Sequence, residues 1–269
     1  MKDFTLHTYR QLLCTLKEAG YAFMTFETYC EAKAKGVKPV GKFVILRHDV
    51  DLRAANSLKT AQIEAELGAQ ASYYFRVVPE SNQPDIIRQI AALGHEIGYH
   101  YEDLTIAHGD TEAAIKHFEK QLAYFRQFYP VRTICMHGAP TGKYDGRDLW
   151  KKYDYHDFGI IGEPYFDVDF SNVLYLTDTG RRWDGYMVSV RDKIPEWQDE
   201  WTRRGWTFHT TKQLIAWLKA QMTNDQSPII NLMLTTHPQR WTNSRMLWWR
   251  ELITQSAKNI VKRVLIALR

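Results

Sequence analysis

Cysteine is scarce. Cys14, Cys30 and Cys135 are odd in number and far apart, which excludes a disulfide framework and any cysteine-based zinc motif. No stretch approaches the roughly 18 consecutive apolar residues of a membrane span. The opening residues Met1-Lys2-Asp3-Phe4-Thr5 carry no apolar signal core. No glycine-rich phosphate loop follows any predicted strand, which argues against a dinucleotide-binding sheet. Charge of one sign is not concentrated either: the net charge of +4 is spread along the chain. That gives no footprint for nucleic acid and is only mildly compatible with an anionic glycan or a membrane surface. A cytoplasmic protein without a transmembrane segment is the expectation.

What is present suits a folded enzyme-sized domain. The 269 residues are 45% hydrophobic and 25% charged, with nine Trp and fifteen Tyr. Strands and helices alternate through most of the chain. Phe43 to Leu46 reads as a buried strand, Ala54 to Leu67 as a helix, and Ala71 to Val78 as a strand. A helix opened by Pro84 and closed by Gly94 follows, and then a strand from Glu96 to Tyr99. Asp110 caps a helix carrying Ile115, Phe118, Leu122 and Phe125, and Thr133 to Met136 is another strand. Residues 140 to 205 are less regular. Trp206 to His209 reads as a strand, Thr211 begins a helix, and Ile229 to Leu234 is a strand before a long final helix. Repeated strand–helix units imply a parallel sheet. The expectation is one α/β domain, a distorted (β/α) barrel of about seven strands. Residues 1–40 form a helical lead-in packed on it, and residues 41–269 form the barrel with its final helix.

Reactive side chains of such barrels gather at the C-terminal ends of the strands. Here those ends carry Asp49 and Asp51, His100, His137 and His237. Asp49 and Asp51 are two residues apart, so they share a strand face. Two like charges that close require a cation or a shared proton. Carboxylates with imidazoles at four strand ends therefore point to metal binding and proton transfer. His95 falls on the opposite strand face from His100 and is read as structural.

The ordered motifs resemble those of the polysaccharide deacetylases, the carbohydrate esterase family 4 fold. His48-Asp49-Val50-Asp51 is similar to that family's first motif, Gly94-His95-Glu96-Ile97-Gly98-Tyr99-His100 to its second, and Leu234-Thr235-Thr236-His237 to its last. Together they span about 43 to 240. The resemblance implies a distorted barrel and metal-dependent removal of acetyl groups from amino sugars. It assigns Asp49 as general base, Asp51 and His100 as metal ligands, His237 as general acid, and Asp178 as the carboxylate supporting that histidine.

The chain also departs from the pattern. Val50 separates the two aspartates, and Leu104 stands where the family places a second metal histidine. Glu102, His108 or His137 could supply the missing ligand, and His137 completes the expected set. Met136-His137-Gly138-Ala139-Pro140 occupies the place of the third motif, with His137 replacing its arginine. That histidine could ligate the metal, orient Asp49 or bind substrate. Tyr101, Glu102, Arg181, Arg182 and Trp241 are the substrate-binding candidates. One divalent metal is expected, and zinc suits nitrogen ligands joined by a carboxylate.

The activity expected is N-deacetylation of an acetylated amino sugar or glycan, in surface polysaccharide or lipopolysaccharide biosynthesis. Two other readings stay open: a glycan-binding barrel without catalysis, and a metal-independent hydrolase of a small cyclic amide. In the last helix Ile253, Ala257, Ile260, Val264 and Ala267 recur at helical spacing among Lys258, Lys262, Arg263 and Arg269. This stripe is expected to cover the barrel. The same pattern suits weak association with a membrane surface.

Overall fold

A computed structural model describes residues 2–267, apart from 38, 40, 139–141, 184–187, 190 and 224–228, with side chains as far as 264. Ala139 and Pro140 of the third motif thus lie outside the described residues, as does the side chain of Ala267. Seven strands follow in order: β1 (Ala22–Met24), β2 (Phe43–Val50), β3 (Ser72–Phe75), β4 (Glu96–Tyr101), β5 (Ile134–Met136), β6 (Val173–Thr177) and β7 (Asn231–Thr236). They form one parallel sheet in the order β5-β4-β3-β2-β7-β6, curled into a half-barrel with helices around it. β1 pairs with the first residues of β2, and β3 pairs with its last. Both lie parallel to it.

β2 is the axis of the site. All eight of its residues are buried, as expected for a parallel strand covered on both faces. Alternation sends Arg47 and Asp49 to the concave side and His48 to the helices behind. There the His48 ring is held between Glu64 Oε1 at 2.6 Å and Thr236 Oγ1 at 2.5 Å. Tyr73 donates to the other Glu64 oxygen at 2.7 Å, and Tyr9 donates to Oε1 as well. This buried network ties β2, β3, β7 and the helices Leu6–Glu18 and Ala54–Glu66 together. It fixes the face on which Asp49 emerges. His95 belongs to the same layer: Nε2 lies 3.0 Å from Ala61 O, and Ala71 N–H donates to Nδ1 at 3.2 Å. It is a structural residue, as its strand face indicates.

Local signals placed most helices. Pro84 opens Pro84–Ala92. Asp110 accepts from the N–H groups of Glu112 and Ala113 at the start of Thr111–Phe125. Thr210 and Gln213 form a reciprocal cap before Thr211–Met222.

Three expectations need correction. The lead-in is not wholly helical, because Ala22–Met24 joins the sheet. Trp206 to His209 is not a strand; only Phe208 of the four is buried, and the segment leads into the next helix. The strand in that part of the sheet is Val173–Thr177, all five residues buried against β7. The helix Arg245–Ala267 also turns the other way. Ile253, Ile260 and Val264 are more than half exposed. Its inner side instead presents Glu251, Gln255, Lys258 and Lys262 to a cavity over the strand ends. No helix among the described residues is long and apolar enough to cross a membrane.

Candidate metal centre

The C-terminal ends of β2, β4, β5 and β7 converge on one cavity of about 580 Å³. Asp49, Asp51, His100, His137 and His237 all line it. His100 is the fifth residue of β4, and His137 follows β5, whose register pairs His100 with Cys135. His100 Nε2 and His137 Nε2 each lie 3.5 Å from Asp51 Oδ1. His237 Nε2 lies 3.8 Å from Asp51 Oδ2.

The hydrogen bonds assign the lone pairs. His100 Nδ1 lies 2.9 Å from the Cys135 carbonyl oxygen, and His137 Nδ1 lies 2.9 Å from Glu102 Oε2. A carbonyl and a carboxylate can only accept, so both Nδ1 atoms carry the proton in the neutral rings. Both Nε2 lone pairs then face Asp51 Oδ1. That oxygen is buried and has no hydrogen-bond partner. With the rings neutral, three electron-pair donors converge, and each atom lies within 4.8 Å of the others. A cation fits such a set. Without one, burial pushes the Asp51 carboxyl up, yet His100, His137 and His237 together hold it well below the usual carboxylate range.

The supports continue outward, as metal sites require. Glu102 is gripped by Arg76, whose Nε and Nη2 each donate at 2.9 Å. Burial raises the Glu102 carboxyl, and His137 and Arg76 bring it below its ordinary value. His137, rather than Leu104, stands in this candidate group; Leu104 is buried in the core. His108 is exposed and does not line the cavity. A second candidate group, Asp49, His100 and Cys135, is poorer. Burial pushes the Cys135 thiol far up, away from the thiolate that binds metals, and Asp49 already has a cationic partner.

That partner is Arg47. Its Nε donates to Asp49 Oδ1 at 2.9 Å and its Nη2 to Oδ2 at 2.8 Å. The guanidinium also lies over the rings of Tyr165 and Tyr175 and 3.6 Å from Asp192. Asp192 accepts from Tyr165, Tyr175, Thr177 and Thr179. Sequence reasoning gave the arginine's place to His137. The signal for Arg47 was present, because it stands two residues before Asp49 on the same strand face. Asp192, in an irregular segment, and Tyr165, in the short helix Pro164–Asp167, gave no signal.

His237 ends β7, and its Nδ1 lies 2.7 Å from Asp178 Oδ1. Asp178 follows β6 directly. It also accepts from the backbone N–H of His237 at 3.0 Å, from Trp241 Nε1 at 2.8 Å and from Arg240. Burial raises the Asp178 carboxyl, and Arg240 and His237 more than offset it. Asp178 therefore serves several donors rather than His237 alone.

Four substrate-binding expectations do not hold. Trp241 is fully buried against Phe4, Tyr9 and Trp183, because its indole is needed to satisfy Asp178. Tyr101 is fully buried against Phe118 and Trp150. As the sixth residue of β4, directly after His100, it points to the opposite strand face. Arg181 packs over Phe4 and Trp248, and Arg182 contacts His209; neither lines the cavity. Glu102 sits at the site but is engaged by His137 and Arg76.

The chain matches no protein-family model, and no curated protein matches it. Among solved structures it is similar to the Streptococcus pyogenes deacetylase PplD in complex with acetate. The identity is 15% and the TM-score 0.45, over 56% of this chain and 71% of that one.

Proposed function

We propose that this protein is a metal-dependent hydrolase that removes the acetyl group from an acetamido sugar. The observation that carries the reading is the convergence of Asp51 Oδ1 with His100 Nε2 and His137 Nε2, flanked by Asp49 on one side and His237 on the other. Asp51, His100 and His137 would hold the metal, and zinc suits two imidazoles and one carboxylate. Bound there, it supplies a Lewis acid for the acetyl carbonyl and lowers the pKa of a water.

The chain's own groups perform the remaining steps. Asp49 lines the cavity and lies 3.9 Å from His100 Nε2. Arg47 takes one lone pair on each of its oxygens and leaves another free to accept the proton of the attacking water. His237, doubly protonated with Nδ1–H held by Asp178, presents Nε2–H to the cavity and delivers that proton to the departing amine. The products are acetate and a free amino sugar. The cavity volume and its polar lining suit a hydroxyl-rich sugar better than a small cyclic amide. The motif resemblance extends this to a precursor of a surface polysaccharide or lipopolysaccharide.

The test is metal analysis of protein purified without chelator, joined to acetate release from N-acetylated sugars. One zinc per chain is expected, with activity that disappears on chelation and returns with zinc. Protein that takes up no metal under any reconstitution overturns the reading. A metal-loaded protein that binds sugar but releases no acetate from any of them overturns the catalytic part.

A further inference from the structure

The inner side of the helix Arg245–Ala267 forms a wall of the same cavity. Glu251 on that side faces Arg53 at 3.7 Å, and Gln255 donates to Asn259 at 2.7 Å. Lys258 and Lys262, one helical turn apart, have no hydrogen bond or ion pair among the described residues. Lys258 is exposed at the rim, whereas Lys262 is only 8% exposed. Arg240 lines the same cavity and its charge acts on Lys262. Its Nη1 serves Asp178, but its buried Nε has no partner.

A buried, unpaired lysine is rare because desolvating an ammonium without a counter-ion is costly. Burial pushes the Lys262 ammonium down to about 8, and Arg240 and Lys258 push the same way against Asp192 and Asp51. The carboxylates nearby are committed elsewhere. Asp49 belongs to Arg47, Asp178 to His237 and Arg240, and Asp192 to two tyrosines and two threonines. Asp51 faces the metal ligands. The protein therefore leaves a cationic wall uncompensated, and an anionic group on the bound molecule would compensate it through charge-assisted hydrogen bonds.

We propose that Lys262, Arg240 and Lys258 form an anion subsite beside the candidate metal centre, and that the substrate is an acetamido sugar carrying a phosphate or a carboxylate. The sugar part rests on the deacetylase reading; the anion part does not.

Calorimetric titration of zinc-treated protein tests it with three sugars: N-acetylglucosamine, its 1-phosphate and N-acetylmuramic acid. At least one charged sugar should bind about tenfold tighter than the neutral one, the scale of one charge-assisted hydrogen bond. Which of the two does so identifies the anion. Lys262→Met should abolish that preference while leaving metal content and neutral-sugar affinity unchanged. Inorganic phosphate titrated into metal-stripped protein gives a second readout, independent of acetate release, and its binding should weaken by a similar factor in Lys262→Met. Should that variant fail to fold, Lys258→Gln at the exposed rim should still reduce the preference. Equal affinity for all three sugars, or a preference undiminished by the substitution that folds, overturns the subsite.

Discussion

Arg47 holds both carboxylate oxygens of Asp49 from two residues earlier on the same strand, at 2.9 and 2.8 Å. The pair is nearly fully buried, so neither partner can be removed lightly. Arg47→Met would leave Asp49 charged and alone, at a cost of about 3–5 kcal/mol. Arg47→Lys is the informative change. It keeps the charge but loses the two-pronged geometry that aims the carboxylate. Acetate release should fall by about 10²-fold, the scale of a misplacement near 1 Å, with metal content unchanged. An unaltered rate in Arg47→Lys would mean that the orientation of Asp49 does not matter to the chemistry.

Asp49→Asn tests the base directly. The proposed metal ligands are other residues, so zinc should remain bound. Turnover should drop by roughly 10²–10⁴-fold, the usual contribution of a general base. Acetate release and zinc content are measured on the same preparation. Near-normal turnover would show that another group accepts the proton.

Glu102 acts at one remove, through the Nδ1–H of His137. Glu102→Gln keeps the shape but removes the charge that fixes the His137 tautomer. Zinc affinity should fall by about 10–100-fold, as for other partners of metal-ligating histidines. His137→Ala should lose more. Competition with a zinc-binding dye reads both. Equal affinity in Glu102→Gln and wild type would remove His137 from the ligand set or Glu102 from its support.

The strand-end residues were readable because strand alternation and barrel geometry are local rules. Asp49, Asp51, His100, His137 and His237 each follow or end an apolar run, and the fold brings all of them to one cavity. Their partners were harder. Arg240 and Lys262 meet the site only through the path of β7 and the last helix, which no local pattern encodes. The apolar stripe of that helix misled, because helical periodicity identifies a face without saying which way it turns. Trp241 misled for a related reason. An aromatic residue near a site suits a sugar, but an indole N–H is also a donor, and the buried Asp178 uses it.

Glu96 gives a pH test away from the site. Burial pushes its carboxyl up to about 7, against hydrogen bonds from Ser72, Thr133 and the Glu27 N–H. The unfolded chain releases this proton near pH 4.5, so between there and about 7 the folded state binds more protons than the unfolded. This contribution to stability is therefore complete below pH 4.5 and is lost as pH rises to about 7. The full swing is about 3 kcal/mol at 1.36 kcal/mol per pH unit. Thermal melts of Glu96→Gln and wild type from pH 5 to 8 check it. The Tm difference should move in favour of the variant as pH rises, and parallel curves would refute the assignment.

His237 faces Asp51 across the cavity with Nε2 at 3.8 Å, while Asp178 holds Nδ1 at 2.7 Å. The ring is therefore oriented to give a proton from Nε2 to a group leaving over Asp51. An amine departing from the tetrahedral adduct needs that proton, whereas a nitrophenolate does not. His237→Ala should cut acetate release from an acetamido sugar by about 10²–10⁴-fold, and hydrolysis of p-nitrophenyl acetate much less. Asp178→Asn should follow the same selectivity with a smaller loss, because Trp241 and Arg240 also lose their acceptor and part of the effect is structural. A melt of each variant separates that part, since a folding defect lowers both activities together. Equal losses on amide and activated ester in a well-folded His237→Ala protein would leave His237 as a binding residue and require another proton donor.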